Sequence, residues 1–121
     1  MLVVNDGVSG FWHYAPPAGG IVVTTPVVLK AAVTGRSLLL STLELIQTDG
    51  GADMEITILD GASVIWRFYN HAHAANQITP VSIKFDPPLA STIGNALNIQ
   101  CSVAGTLYAN AHGYYGQATN A

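Results

Sequence analysis

Apolar and polar residues in this chain alternate with a period of two, stretch after stretch, and no segment sustains the 3.6-residue period of an amphipathic helix. Val27, Leu29 and Ala31 alternate with Val28, Lys30 and Ala32. Met54, Ile56 and Ile58 alternate with Glu55 and Thr57, and Val64, Trp66 and Phe68 with Ser63, Ile65 and Arg67. The pattern returns at Val81, Ile83 and Phe85, at Leu97, Ile99, Cys101 and Val103, and at Leu107, Ala109 and Ala111. Residues 37–47 are β-rich throughout, and apolar on both faces over 38–40. Turn formers stand between these runs: Thr34-Gly35, Asp49-Gly50-Gly51, Asp60-Gly61, Asp86-Pro87-Pro88, Gly94-Asn95 and Ala104-Gly105. Residues 69–77, with His71-Ala72-His73, lack a strand pattern and are expected to form a loop or a single helical turn. Short strands at even spacing with frequent Gly and Pro turns predict an all-β, antiparallel, jelly-roll-like β-sandwich of about eight strands.

One register follows from the apolar rows. A two-residue Asp60-Gly61 loop would set the Val64, Trp66 and Phe68 row beside Glu55 and Thr57. A three-residue Leu59-Asp60-Gly61 loop with Gly61 left-handed pairs Ile56 with Val64 and Met54 with Trp66, so the pattern predicts the odd loop.

The first twenty residues differ. Turn signals at Asp6-Gly7 and Ser9-Gly10 lead to the aromatics Phe11, Trp12 and Tyr14, then to Ala15-Pro16-Pro17-Ala18-Gly19-Gly20. The prolines enforce extended backbone and the glycines release it. Residues 1–20 therefore read as an extended N-terminal arm, 21–116 as the sandwich and 117–121 as a C-terminal tail. The three arm aromatics need burial, either on a neighbouring subunit or folded back over the chain's own core.

Composition sharpens the question of what covers the surface. Half the residues are apolar and mean hydropathy is +0.36, yet no apolar run approaches the ~20 residues of a membrane-spanning helix. No basic cluster precedes an apolar block near the N-terminus, so no secretory signal is expected. Only 9% of residues are charged, against ~25% in ordinary soluble domains. Packing on copies of itself or on a partner accounts for this, because interfaces tolerate Ser, Thr, Asn, Gly and Ala where charges are costly; the alternative is a monomer with a neutral polar surface. Four Lys and Arg among 121 residues are too few to neutralise a run of phosphates, which argues against a nucleic-acid partner.

Chemistry is sparse. His71-x-His73 has metal-ligand spacing, and His13 or His112 could supply a third imidazole, but no carboxylate motif completes a site. Asp49 and Asp53 flank a glycine turn without the further oxygens that calcium needs. Ser63 and Ser82 lie on strands, and no G-x-S-x-G elbow occurs. Cys101 falls on an apolar row and reads as a buried structural thiol. The expectation is a non-enzymatic protein with no cofactor and no dedicated metal. Tyr108, Tyr114 and Tyr115 join Phe11, Trp12 and Tyr14 as candidate interface residues.

A set of features runs in order along residues 24–115: Val28-Leu29-Lys30-Ala31-Ala32, Val64-Ile65-Trp66-Arg67 after Asp60-Gly61, Phe85-Asp86-Pro87-Pro88-Leu89, Asn95-Ala96-Leu97-Asn98-Ile99-Gln100-Cys101, and Tyr108-Ala109-Asn110-Ala111-His112-Gly113-Tyr114. In this order and spacing the chain resembles small structural proteins of tailed-bacteriophage virions. The resemblance implies a capsid decoration or cement protein, a homo-oligomer with a trimer favoured, bound to the major capsid protein. It would be made in the bacterial host cytoplasm and end on the virion surface. It supplies no catalytic residues. The rival readings are a tail-fibre or carbohydrate-binding sandwich and, third, a small cupin-like enzyme using His71 and His73.

Overall fold

The alternating runs become eight strands: β1 (Phe11–Tyr14), β2 (Val27–Lys30), β3 (Leu38–Gln47), β4 (Met54–Asp60), β5 (Ser63–Asn70), β6 (Val81–Ala90), β7 (Leu97–Cys101) and β8 (Leu107–Tyr115). The computed structural model describes residues 10–48, 51–74, 77–78 and 80–116. Two four-stranded antiparallel sheets form, with orders β1-β8-β3-β6 (sheet A) and β2-β7-β4-β5 (sheet B). The chain crosses repeatedly between the sheets, and its first and last strands lie side by side. This is the jelly-roll arrangement that the pattern predicts.

The core between the sheets is built from the inward residues of each row. Leu97, Ile99 and Cys101 from β7 meet Leu107, Ala109 and Ala111 from β8, and all are buried. In β3 the apolar residues change phase: Leu38 and Leu40 point inward, then Leu43 and Leu45 do so. The extra residue is Ser41, where the register with β8 slips between Leu40 and Thr42. Its hydroxyl donates to the His112 carbonyl at 2.9 Å, so the bulge is hydrogen-bonded rather than open.

The β4–β5 hairpin corrects the expected register. Asp60 faces Ser63 across a two-residue turn, Leu59 faces Val64, and then Ile58 faces Trp66, Ile56 faces Phe68 and Met54 faces Asn70. Gly61 is left-handed at φ 60°, as expected, but the odd residue sits in a bulge at Ile65 and not in the loop. The bulge achieves what the odd loop was to achieve, placing Met54, Ile56 and Ile58 on the same face as Trp66 and Phe68. Val64 is turned out of that row and is 39% exposed. Trp66 and Phe68 are half-buried and stack with ring centroids 6.1 Å apart, and Phe85 meets Trp66 in a T-shaped contact with centroids 5.4 Å apart. Together they close the seam between the edge strands β5 and β6.

The N-terminal segment is the larger correction. Phe11–Tyr14 is not a free arm; it is the edge strand of sheet A, paired along β8 from Phe11 opposite Tyr114 to Tyr14 opposite Ala111. Trp12 enters the core at 5% exposure and its indole N–H donates to the Tyr114 carbonyl at 3.2 Å. Ile21 adds a bridge to Leu107. Of the two placements open to the aromatics, Trp12 takes the one over its own core. Residues 1–9 and 117–121 lie outside the described residues.

Asp60 clasps the β6–β7 connection. Its carboxylate accepts from the Thr92 amide at 3.0 Å, the Thr92 hydroxyl at 2.7 Å and the Asn95 side-chain amide at 3.0 Å. Partial burial works to raise the Asp60 pKa, but these donors outweigh it and hold the carboxyl below its ordinary value. A depressed folded pKa means the clasp contributes fully above the ordinary Asp range of ~4 and is lost as pH falls through the folded value. Acid titration of the thermal midpoint should therefore show a loss below about pH 4 that is smaller in Asp60→Ala. Parallel curves for the two proteins would remove Asp60 from the acid response.

Candidate assembly interface

The outer face of sheet A can be read row by row from the strand registers. At one end stand Phe11, Tyr114, Leu39 and Ala90, one from each strand. The next row is His13, His112, Thr42 and Lys84, then Asn110, Glu44 and Ser82, then Tyr108 beside Ile46. Across these rows Glu44 and Lys84 are the carboxylate and the ammonium, and the remaining side chains are neutral, aromatic, or imidazole; Asp86, exposed on β6 between Lys84 and Ala90, adds a second carboxylate at the edge. Phe11 is 88% exposed, with Tyr114 and Leu39 extending the apolar row beside it. With strands ~4.8 Å apart, the face covers on the order of 600 Å², somewhat less than the ~800 Å² each partner gives to a standard interface.

The six residues expected at an interface divide between two sides of this sheet. Phe11, Tyr108 and Tyr114 fall on the outer face. Trp12, Tyr14 and Tyr115 fall on the inner side. Trp12 is buried, while Tyr14 and Tyr115 are part-buried and packed against the core. Burial raises the Tyr14 pKa, and the Lys30 ammonium lies 5.6 Å from the Tyr115 ring. The reason is period-two geometry: Trp12 and Tyr14 share one face of β1, Phe11 and His13 the other.

The histidines regroup as well. His71 and His73 follow β5, and His73 places Nε2 3.1 Å from the Gln47 carbonyl and Nδ1 3.2 Å from the His71 carbonyl. Both of its ring nitrogens thus face backbone oxygens. His71 sits against Tyr69 and 3.9 Å from Asp53. The expected third ligand is elsewhere: His112 pairs with Thr42, five residues along β3 from Gln47 and so about 17 Å away. His13 and His112 lie opposite each other, with ring centroids 6.1 Å apart. Among the described residues no group of three or more His, Cys, Asp or Glu converges on one point. Asp49 of the expected carboxylate pair lies outside the described residues.

Asp53 anchors the loop after β5 by accepting from the Tyr69 hydroxyl and the Ala72 amide, each at 2.7 Å. The Ala72 amide and the Tyr69 hydroxyl lower the Asp53 pKa, and the bond to Asp53 raises that of Tyr69. Tyr69, Asn70, His71, His73 and Gln77 line a shallow depression of about 230 Å³ beside this cluster. Cys101 is buried, and burial pushes its thiol up to about 11, consistent with a structural role.

Sequence reasoning did not find the His13–His112 pairing, the Phe11–Tyr114–Leu39 row or the Asp60 clasp, because each joins residues far apart in the chain. Compared with protein-family models and with curated proteins, the chain matches none.

Proposed function

We propose that the protein is a non-enzymatic structural subunit of a phage virion, a capsid decoration or cement protein that self-associates and docks through the outer face of sheet A. The observation that carries this reading is the charge-poor outer face of sheet A, with the Phe11–Tyr114–Leu39 row at its end. Such a face leaves apolar area to be covered and little charge to desolvate when a neutral partner covers it. The virion itself rests on the sequence resemblance of residues 24–115. The jelly roll is compatible with it, since capsid proteins use this fold, as do lectins and cupins. An area on the order of 600 Å² also favours attachment through several modest contacts over one tight one.

Light scattering at micromolar concentration should give a trimer or larger species, and Phe11→Asp combined with Tyr114→Asp should reduce it to the 12.7 kDa monomer. The same variant should lose occupancy on capsids lacking the native copy. A wild-type monomer that fails to decorate capsids would overturn the proposal.

One observation favours the carbohydrate-binding reading instead: the depression beside exposed Tyr69, with Asp53 and His71 as polar partners. Glycan-array binding that Tyr69→Ala abolishes and Phe11→Asp spares would support that reading over the cement one.

A further inference from the structure

We propose that His13 and His112 form a bidentate site for a late first-row divalent metal ion such as Zn²⁺ or Ni²⁺, clamping the edge strand β1 to β8. The two residues are direct cross-strand partners, which puts their Cβ atoms roughly 4.5–5.5 Å apart. Their rings lie nearly parallel, 27° from coplanar, with centroids 6.1 Å apart. Two imidazoles on one tetrahedral ion, with metal–nitrogen bonds of ~2.0–2.1 Å, have centroids roughly 5 Å apart. A small change of side-chain torsion closes that gap, and both residues are exposed and free to make it.

No ring nitrogen of either histidine has a hydrogen-bond partner among the described residues, so nothing there need be broken to bind an ion. His73 differs on this point, because both its nitrogens already face carbonyl oxygens. The neighbourhood is also permissive. Thr42 is the next residue in the row, and Lys84 stands a further strand away, about 10 Å from His112, where water screens its charge. Neutral imidazole selects Zn²⁺, Ni²⁺ and Cu²⁺ over Mg²⁺ and Ca²⁺, which prefer oxygen. Two protein ligands leave the remaining positions to water or to a donor from a docked neighbour.

The site is independent of the virion reading, since it concerns the folded chain alone. Because the ion bridges β1 and β8 only in the folded state, it should stabilise that state by an amount that grows with the logarithm of its free concentration above the dissociation constant. The test is thermal melting of the full chain in Ni²⁺ and, separately, Zn²⁺, at a pH where imidazole is neutral, with Mg²⁺ as the control. At ~1 mM ion the midpoint should rise on the order of 3–10 °C and go on rising with the logarithm of ion concentration, and calorimetric titration of the folded chain should give one ion per chain. Either His13→Ala or His112→Ala should abolish the rise, and the paired change His71→Ala with His73→Ala should leave it intact. Should an alanine variant melt too low to compare, His112→Gln serves in its place, with nickel-induced broadening of the His13 and His112 imidazole resonances as a second readout in the wild type. A rise that vanishes in the His71/His73 variant, or no rise with either ion, would overturn the proposal.

Discussion

Trp12→Ala should lower stability by about 3–5 kcal/mol, read as a drop of roughly 10–25 °C in the thermal midpoint. The indole is 5% exposed, packs within the core cluster and donates to the Tyr114 carbonyl. Removing it leaves a cavity at the end of the sandwich and strips the edge strand of its main anchor. Deleting residues 1–18 should be at least as damaging, since it also removes the β1–β8 ladder. Phe11→Ala, one residue away but 88% exposed, should change stability by no more than ~0.5 kcal/mol. Equal midpoints for Trp12→Ala and wild type would return the segment to the status of a detachable arm.

Gly113→Ala should be nearly as costly, for the opposite reason. Gly113 lies opposite Trp12 on β1 and opposite Leu40 on β3. A Cβ built there collides with the Leu39 carbonyl oxygen and with the indole carbons of Trp12. The ring could shift, but the Leu39 oxygen belongs to the ladder of a central strand and cannot move without breaking it. The cost should reach or exceed the ~1–3 kcal/mol usual for overpacking. A double-mutant cycle separates the two collisions. In the Trp12→Ala background the added methyl should cost less by about 0.5–3 kcal/mol, leaving the backbone collision as the remainder. Denaturant midpoints for the four proteins give that coupling directly, and a Gly113→Ala protein as stable as wild type would show that β8 passes less closely to β1 and β3.

Much of this fold was readable from residue order alone. The rows Leu97, Ile99, Cys101 and Leu107, Ala109, Ala111 are buried as their alternation requires. What failed to show were the places where the period breaks. The bulge at Ile65 shifts Val64 out of its row, and nothing local distinguishes that bulge from an odd loop, because both restore the same apolar pairing. β1 was legible in part: Trp12 and Tyr14 alternate with Phe11 and His13, but Pro16-Pro17 and Gly19-Gly20 mask a four-residue strand. The run of small residues Ala109, Ala111 and Gly113 on the inner face of β8 was a second signal. Small side chains on an inward row mean that something large from across the sheet or the core occupies the space. The candidate interface was less legible because its rows cross four strands, and their order is set by topology.

The pairing of β1 with β8 also dictates the order in which the molecule can be assembled. Trp12 and its carbonyl partner Tyr114 are 102 residues apart in the chain. Closing so long a loop is entropically slow unless the intervening strands have already brought the ends together, and native pairings this remote belong to domains that fold in milliseconds to seconds. During synthesis at roughly 5–20 residues per second, Trp12 leaves the ribosome about 5–20 s before the strand that receives it exists. In that interval the Trp12 indole is uncovered, so nascent chains of this protein present a window for chaperone capture or mispairing that shuts only when β8 emerges.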